Sequence, residues 1–526
     1  RWLLAPYSRT LYGDAGTEGS AVFEVYNNAA EERTFELSLE FPDRPWAARL
    51  ESSRVTVPGK KAETVRVTYT MPGEGDRHCC RIRVTPNDTP ACTTYSSLFL
   101  HRGVAPAAGP LPIPWVLKPY AHENEQLGYC PDYPLTNQVY FDGNNRPYIS
   151  SDASVWYWRD GAWREIAVAK NAAGASVAFA TDSSKVAFDD ANNVYLVGKV
   201  KGAPVLLSMS EGSDCLRVCP IPGHGAFDIE QFSGHNRTDG PPPLVRYTRT
   251  EHDPNLIWRS LNDLDLFLPV KEADGMVSLP GPIRISTKCI GFSDHSGIPS
   301  SVVSREGKVH VVWGEATDPA EKVEGVPTYA VTYDRASKTL GQPALVGYGP
   351  PANDVHNTPC ITMDSQGYLH VLVGTHGSTF RYARSLQPND AGGGWTAAEA
   401  IGPGLRQTYV GLVCDTEDVL HLVFRLWRED TAYFPASYYA TLAYMSKRPG
   451  EAWSEPRVLV APPFSEYSVF YHRLTIDREG RLFLSYDYWS TYWFYRNDRR
   501  GDRRALMMSS DGGGSWRLVG GEVWTR

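Results

Sequence analysis

One short pattern recurs along most of this chain and limits its fold more than any other feature. It is an apolar strand, a turn rich in Asp, Gly and Asn, and a second apolar strand. It reads VYFDGNNRPYIS around Asp142, VAFDDANNVYLVG around Asp189 and SVVSREGKVHVVWG around Ser304. It returns as CITMDSQGYLHVLVG around Asp364, GLVCDTEDVLHLVF around Asp415 and RLTIDREGRLFLSY around Asp477. The six copies align across the turn without gaps. Asp189 and Ser304 lie 115 residues apart, about twice the other spacings, which leaves room for a degenerate seventh unit around Pro243–Thr248 and Leu256–Leu268. Repeats of about 50 residues, each too small to bury its own faces, are the units of a propeller. The expectation is an all-β chain whose residues 128–526 form a seven-bladed β-propeller.

The copies also place His310, His370 and His421 at one equivalent position, shared with Tyr148, Tyr195 and Phe483. A repeated strand position is the simpler reading of these histidines. Ser509-Ser510-Asp511-Gly512-Gly513-Gly514-Ser515-Trp516 fits the Asp-box hairpin S-x-D-x-G-x-[ST]-W, in which Asp and Ser bond the turn backbone and Trp packs between sheets. Residues 1–105 alternate apolar and polar positions in segments such as Ala21–Tyr26, Thr34–Phe41 and Glu63–Thr70, punctuated by Pro58-Gly59 and Pro72-Gly73. That is the pattern of an immunoglobulin-like β-sandwich. The run VAPAAGPLPIP, Val104–Pro114, reads as stiff and leads through a linker placed at residues 106–127.

Charge and composition exclude several classes. The net charge is -8 and no long basic run occurs; the stretch Arg496–Arg504 is broken by acids and Gly. Nucleic acid is therefore not an expected partner. No run of 18 apolar residues occurs, so no membrane span is expected. The 15 Trp and 29 Tyr suit flat, apolar sugar faces. Nine cysteines are sparse and irregular, which implies no disulfide scaffold. Cys215, Cys219 and His224 form a loose C-x3-C-x4-H, one donor short of a structural zinc site. Separate buried or paired cysteines are the preferred reading, no metal is assigned, and no cofactor is required.

Strand pairing then brings polar residues together. In each unit the start of the first strand sits beside the end of the second. These positions open on one face of a propeller, near its axis. The fifth unit begins Asp354-Val355-His356-Asn357 and its second strand ends Gly374-Thr375-His376. The sixth begins Thr408-Tyr409 and returns through Arg425; the seventh begins Tyr471-His472 and ends Asp487-Tyr488-Trp489. Two imidazoles, a phenol and a guanidinium thus converge on one mouth, a set able to bind an anion and move a proton. His295 is out of step with His356 by one residue, which reverses its facing side.

The stretch D-x-H-N-x-P-x-I-x-x-D-x-x-G-x-x-H-V from Asp354 to Val371, followed by Gly374-Thr375-His376, resembles the BNR-repeat propellers. In particular it is similar to ulvan-lyase-type polysaccharide lyases and their rhamnose–glucuronate-cleaving relatives. The resemblance implies β-elimination at O4 of a uronic acid in an anionic polysaccharide or oligosaccharide, by a secreted or periplasmic enzyme. It implies that Arg425 and His376 neutralise the substrate carboxylate and that His356 and Tyr409 share the base and acid roles; which of the two takes the proton stays open. Asn357, Arg381, Tyr471, His472 and Trp489 are expected at the substrate. The alternatives are a sialidase or α-L-rhamnosidase on the same scaffold and a non-catalytic sugar-binding propeller. A sialidase needs three arginines around a carboxylate, and no such triad assembles from matching rims. For a glycosidase pair the rims offer Asp354 and Asp487.

Overall fold

A computed structural model describes residues 2–5, 8–42, 44–75, 77–102, 138–151, 153–181, 185–252, 260–293, 300–317, 324–350, 354–430, 437–460, 469–488 and 504–519. The linker expected at 106–127 lies outside these residues, as do Cys130, His295 and Trp489.

The N-terminal module pairs a four-stranded sheet with a five-stranded one. Its strands alternate strictly: in Glu18–Asn27 the inward Ala21, Phe23 and Val25 are buried while Glu24 is exposed. Those residues meet Phe35, Val65, Val67, Ile82 and Leu98 between the sheets, the layered core of an immunoglobulin-like sandwich.

Seven further sheets of four or more strands follow in chain order, and these are the seven blades; a two-stranded pair, Val270–Lys271 with Val277–Ser278, accompanies the third. Their first strands begin at Tyr140, Ala187, Ala226, Val302, Cys360, Arg406 and Val469. Seven apolar clusters join consecutive blades around the ring, from blades 1 and 2 (Tyr148, Leu196) through to blades 7 and 1 (Phe483, Leu506, Phe141, Ile149). Each blade buries one face on each neighbour, which explains why inner strands such as Cys360–Met363 and Leu369–Val373 read as nearly continuous apolar runs. Blades 7 and 1 are each built from one continuous stretch of chain. Phe141 lies 4.7 Å from Phe483, and Asn145 bonds Asp477 and the Arg478 N–H across that seam.

The recurrent aspartate has a local cause. Oδ1 of Asp142, Asp189, Asp415 and Asp477 accepts the N–H groups two and four residues on, at 2.8–3.0 Å. It closes a turn whose fourth residue is left-handed: Asn145, Asn192, Asp418 and Gly480 have φ between 59° and 82°, which is why Asn, Asp and Gly recur there. In blade 4, where Ser304 replaces the aspartate, a two-residue turn of Glu306 and Gly307, both at positive φ, does the same work. The aligned histidines complete these turns. His370 bridges Tyr382 Oη and Asp364, and His421 bridges Tyr444 Oη and Asp415. In the Asp-box, Asp511 accepts from Ser509, Ser515 N–H and Ser515 Oγ, and Trp516 packs edge-on to Tyr444 between blades 6 and 7.

Blade 3 is the exception. Between its strands Ala226–Ile229 and Leu244–His252 the chain makes no tight turn. Residues 230–238 instead cross the turn end of the channel as a plug. His235 N–H reaches Met363 of blade 5, Arg237 N–H reaches Ser304 of blade 4, and the Ser233 carbonyl accepts from Cys414 of blade 6. The Phe232 ring lies 3.6 Å from the Arg478 guanidinium of blade 7.

Candidate active site

The opposite end of the channel holds the residues singled out by their rim positions. A one-turn 3-10 helix, Val355–Asn357, carries His356, and Asp354 caps it by accepting the His356 N–H. The chain then passes down the first two strands of blade 5 and returns at Gly374-Thr375. There it leaves the blade: His376–Ser378 pairs with the first strand of blade 6, His376 opposite Thr408. Tyr409 follows at a β-bulge between Thr408 and Val410. Its φ of 58° puts a bulky residue in left-handed space, a strained conformation kept only where the surroundings impose it. Thr375, fully buried, is the brace. Its carbonyl accepts the Tyr409 N–H at 3.0 Å, and its hydroxyl donates to the carbonyls of Thr358 (2.7 Å) and His356 (3.2 Å).

The result is a compact group. The rings of His356 and His376 stack with centroids 4.8 Å apart, and Tyr409 lies 5.9 Å and 5.6 Å from them. Asp354 ties the imidazoles together: Oδ1 takes His356 Nδ1 at 2.7 Å and Oδ2 takes His376 Nδ1 at 3.0 Å. Burial alone would raise the Asp354 carboxyl. Hydrogen bonds and positive charge from the two histidines outweigh it and hold the group far below the usual carboxylate range. The Arg425 guanidinium lies under Tyr409, 4.5 Å from its ring centroid, on a strand position paired with Thr408. His376 is the most open of the four, with 30 % of its side chain exposed; Tyr409 is 3 % and Arg425 1 % exposed.

The structure therefore brings His356, His376, Tyr409 and Arg425 into one group. The wider set divides. Asn357 is buried in the same helical turn, and Arg381 is exposed at the start of the third strand of blade 5, opposite Val373. The side chain of Tyr471 and all of Trp489 lie outside the described residues. His472 requires a correction: it is 0 % exposed and its Nε2 lies 3.0 Å from the Val423 carbonyl, so it supports the strand beneath Tyr409 and does not face a ligand. Burial pushes its pKa down to about 3, and the Arg425 charge adds to that. Rim position fixed which end of the blade it occupies but not its depth.

Two contributors escaped the sequence reading. Asp354 appeared only as a carboxylate for a glycosidase pair, whereas it is the shared partner of both histidines. Its place two residues before His356, at a helix cap, was the available signal. Thr375 gave no signal beyond lying between Gly374 and His376. Cys215, Cys219 and His224 do not appear among the His, Cys, Asp and Glu groups close enough to share an ion in the described residues.

Residues 328–523 match the family described as "BNR repeat-containing family member". The match spans the C-terminal blades, a little over a third of the chain. Among curated proteins none matches. Solved structures similar to this chain include a Dyadobacter fermentans protein of unknown function (13 % identity, 58 % of this chain and 89 % of that one, TM-score 0.37). A second is a Penicillium chrysogenum alpha-L-arabinanase complexed with arabinobiose (12 % identity, 57 % and 81 %, TM-score 0.33). A human PapD-like domain covers 20 % of this chain and 86 % of its own length (15 % identity, TM-score 0.17). At these scores none adds to the fold read from the sheets themselves.

Proposed function

We propose that this BNR propeller is a polysaccharide lyase that cleaves a uronate-containing polymer, of rhamnose–glucuronate or iduronate type, by β-elimination. The observation that carries the reading is the pair of stacked imidazoles bound through Nδ1 to one carboxylate, with a strained tyrosine against them and a guanidinium behind it. The reaction requires a base to take the C5 proton, a C4=C5 double bond to form as the C4–O4 bond breaks, and an acid to protonate O4. C5 is acidic only when the neighbouring carboxylate is neutralised.

His376, the most open member, would receive the substrate carboxylate through Nε2. Its Nδ1 bond to Asp354 fixes the orientation of the ring. Arg425 would act through Tyr409, its cation stabilising a phenolate across the ring it supports. His356 and Tyr409 then divide the two proton transfers, and the configuration at C5, glucuronate or its epimer, decides which faces the proton. A hydrolase of the paired-carboxylate kind is disfavoured because Asp354, held anionic by two histidines, is a poor proton donor. Polymers of this kind are met outside the cytoplasm, so secretion or a periplasmic site belongs to the same reading.

The test is to incubate the protein with a panel of uronate polymers and follow near-ultraviolet absorbance beside reducing ends. The expected result is that both rise together. Reducing ends without absorbance would replace elimination by hydrolysis.

A further inference from the structure

The turn end of the channel holds a second cluster of reactive side chains, unrelated to the mouth. The plug sets His235 against blade 6, with Nε2 2.8 Å from the Asp415 carbonyl oxygen and 3.2 Å from Asp418 Oδ1. Cys414 is buried beside them. Its Sγ, a ring nitrogen of His235 and a carboxylate oxygen of Asp418 lie within 4.8 Å of one another. The loop approaches this closely because residue 234 is glycine: a Cβ there would stand 2.9 Å from Cys414 Cβ and 2.7 Å from the Met363 carbonyl oxygen. We propose that His235, Cys414 and Asp418, with the Asp415 carbonyl as fourth donor, bind a zinc-like divalent cation that fastens the plug to blade 6.

Three observations support the site. Thiolate, imidazole and carboxylate together suit zinc and its neighbours in the first transition row, and not calcium or magnesium. The charges balance, since one thiolate and one carboxylate against a dication leave the buried corner neutral. Access is also present: a cavity of about 580 Å³ at this end is lined by His235, Cys414 and Asp415. Donors on a tetrahedral zinc lie about 3.3–3.8 Å apart, so His235 Nε2 draws back slightly from its contacts at 2.8 and 3.2 Å while Cys414 Sγ moves in by up to about an ångström. In doing so His235 exchanges its N–H contact with the carbonyl for the metal.

Cobalt(II) reads the site specifically. Asp354, His356 and His376 also lie close enough to share an ion, but that group has no sulfur and gives no thiolate-to-cobalt charge-transfer band. The full chain, stripped with a chelator and titrated with cobalt(II), is expected to develop that band, and zinc is expected to remove it. C414S should abolish the band, H235A and D418N should each weaken binding about tenfold or more, and H376A should leave it intact. Zinc should raise the thermal midpoint of the wild type but not of C414S. A folded wild-type protein without the band, or a band that persists in C414S, overturns the site. If C414S does not fold, D418N and zinc protection of Cys414 from a thiol reagent decide in its place.

Discussion

The two ends of the channel are built to opposite rules. At the turn end, polar groups are closely matched: aspartates close their own turns, histidines bridge tyrosine and aspartate, and the plug ties four other blades together. At the mouth the chain spends stability. A tyrosine sits in left-handed space, a strand leaves its blade, and one carboxylate holds two imidazoles. Repeated residues mark the end that holds the ring together, and departures from the repeat mark the end read here as chemical.

The sharpest way to break this contrast is at the mouth. His376→Ala and Tyr409→Phe should each lower turnover on the cleaved polymer by about 10²–10⁴-fold while the thermal midpoint stays close to wild type. Asp354→Asn should lower kcat more than it changes KM, because it disturbs the tautomers of the histidines and removes no substrate contact. A variant that loses both activity and fold would assign the group a structural role.

At the turn end the same experiments should report the reverse. Glu230 is buried at the start of the plug, where burial raises its pKa from 4.5 to about 7 against the bonds from Ser304 and Asn236. The folded state therefore holds this proton more tightly than the unfolded state. Its contribution is fully present below about pH 4.5 and is lost as pH climbs to about 7, of order 3 kcal/mol. Chemical denaturation across that range should show the decline in the wild type and a flatter profile in Glu230→Gln. Gly234→Ala, forced against Met363, Cys414 and Thr362, should cost about 1–3 kcal/mol and leave kcat unchanged. The smallest effect is expected from Asp511→Ala in the exposed Asp-box, about 1 kcal/mol for its lost turn bonds, read as a shift in the urea midpoint.

The sequence showed the ring and its blade count because every turn aspartate solves the same local problem, and six copies of one solution align. It showed the end of the blade on which His356, His376, Tyr409 and Arg425 meet, because strand pairing alone decides that. Depth was not legible: His472 follows Tyr471 at the rim of blade 7 yet is buried against the Val423 carbonyl, since an inner strand packed on both sides buries residues of either parity. The plug was not legible either, because residues 230–238 bond, through backbone and side chains alike, to partners distant in sequence. The missing turn in blade 3 was its only trace. Asp354 shows a third kind of loss, in which a residue was noticed but its partners could come only from coordinates.

The strand His376–Ser378, which crosses from blade 5 to pair with blade 6, bears on how the mouth responds to heat. Most other contacts between neighbouring blades are side-chain packing, which can slide slightly as temperature rises. Here one imidazole and the phenol hang from the same stretch of main-chain ladder, so their spacing is set by backbone hydrogen bonds and not by how well two surfaces fit. Warming should therefore loosen the grip on a long polymer spanning several blades before it disturbs the distance a proton has to travel.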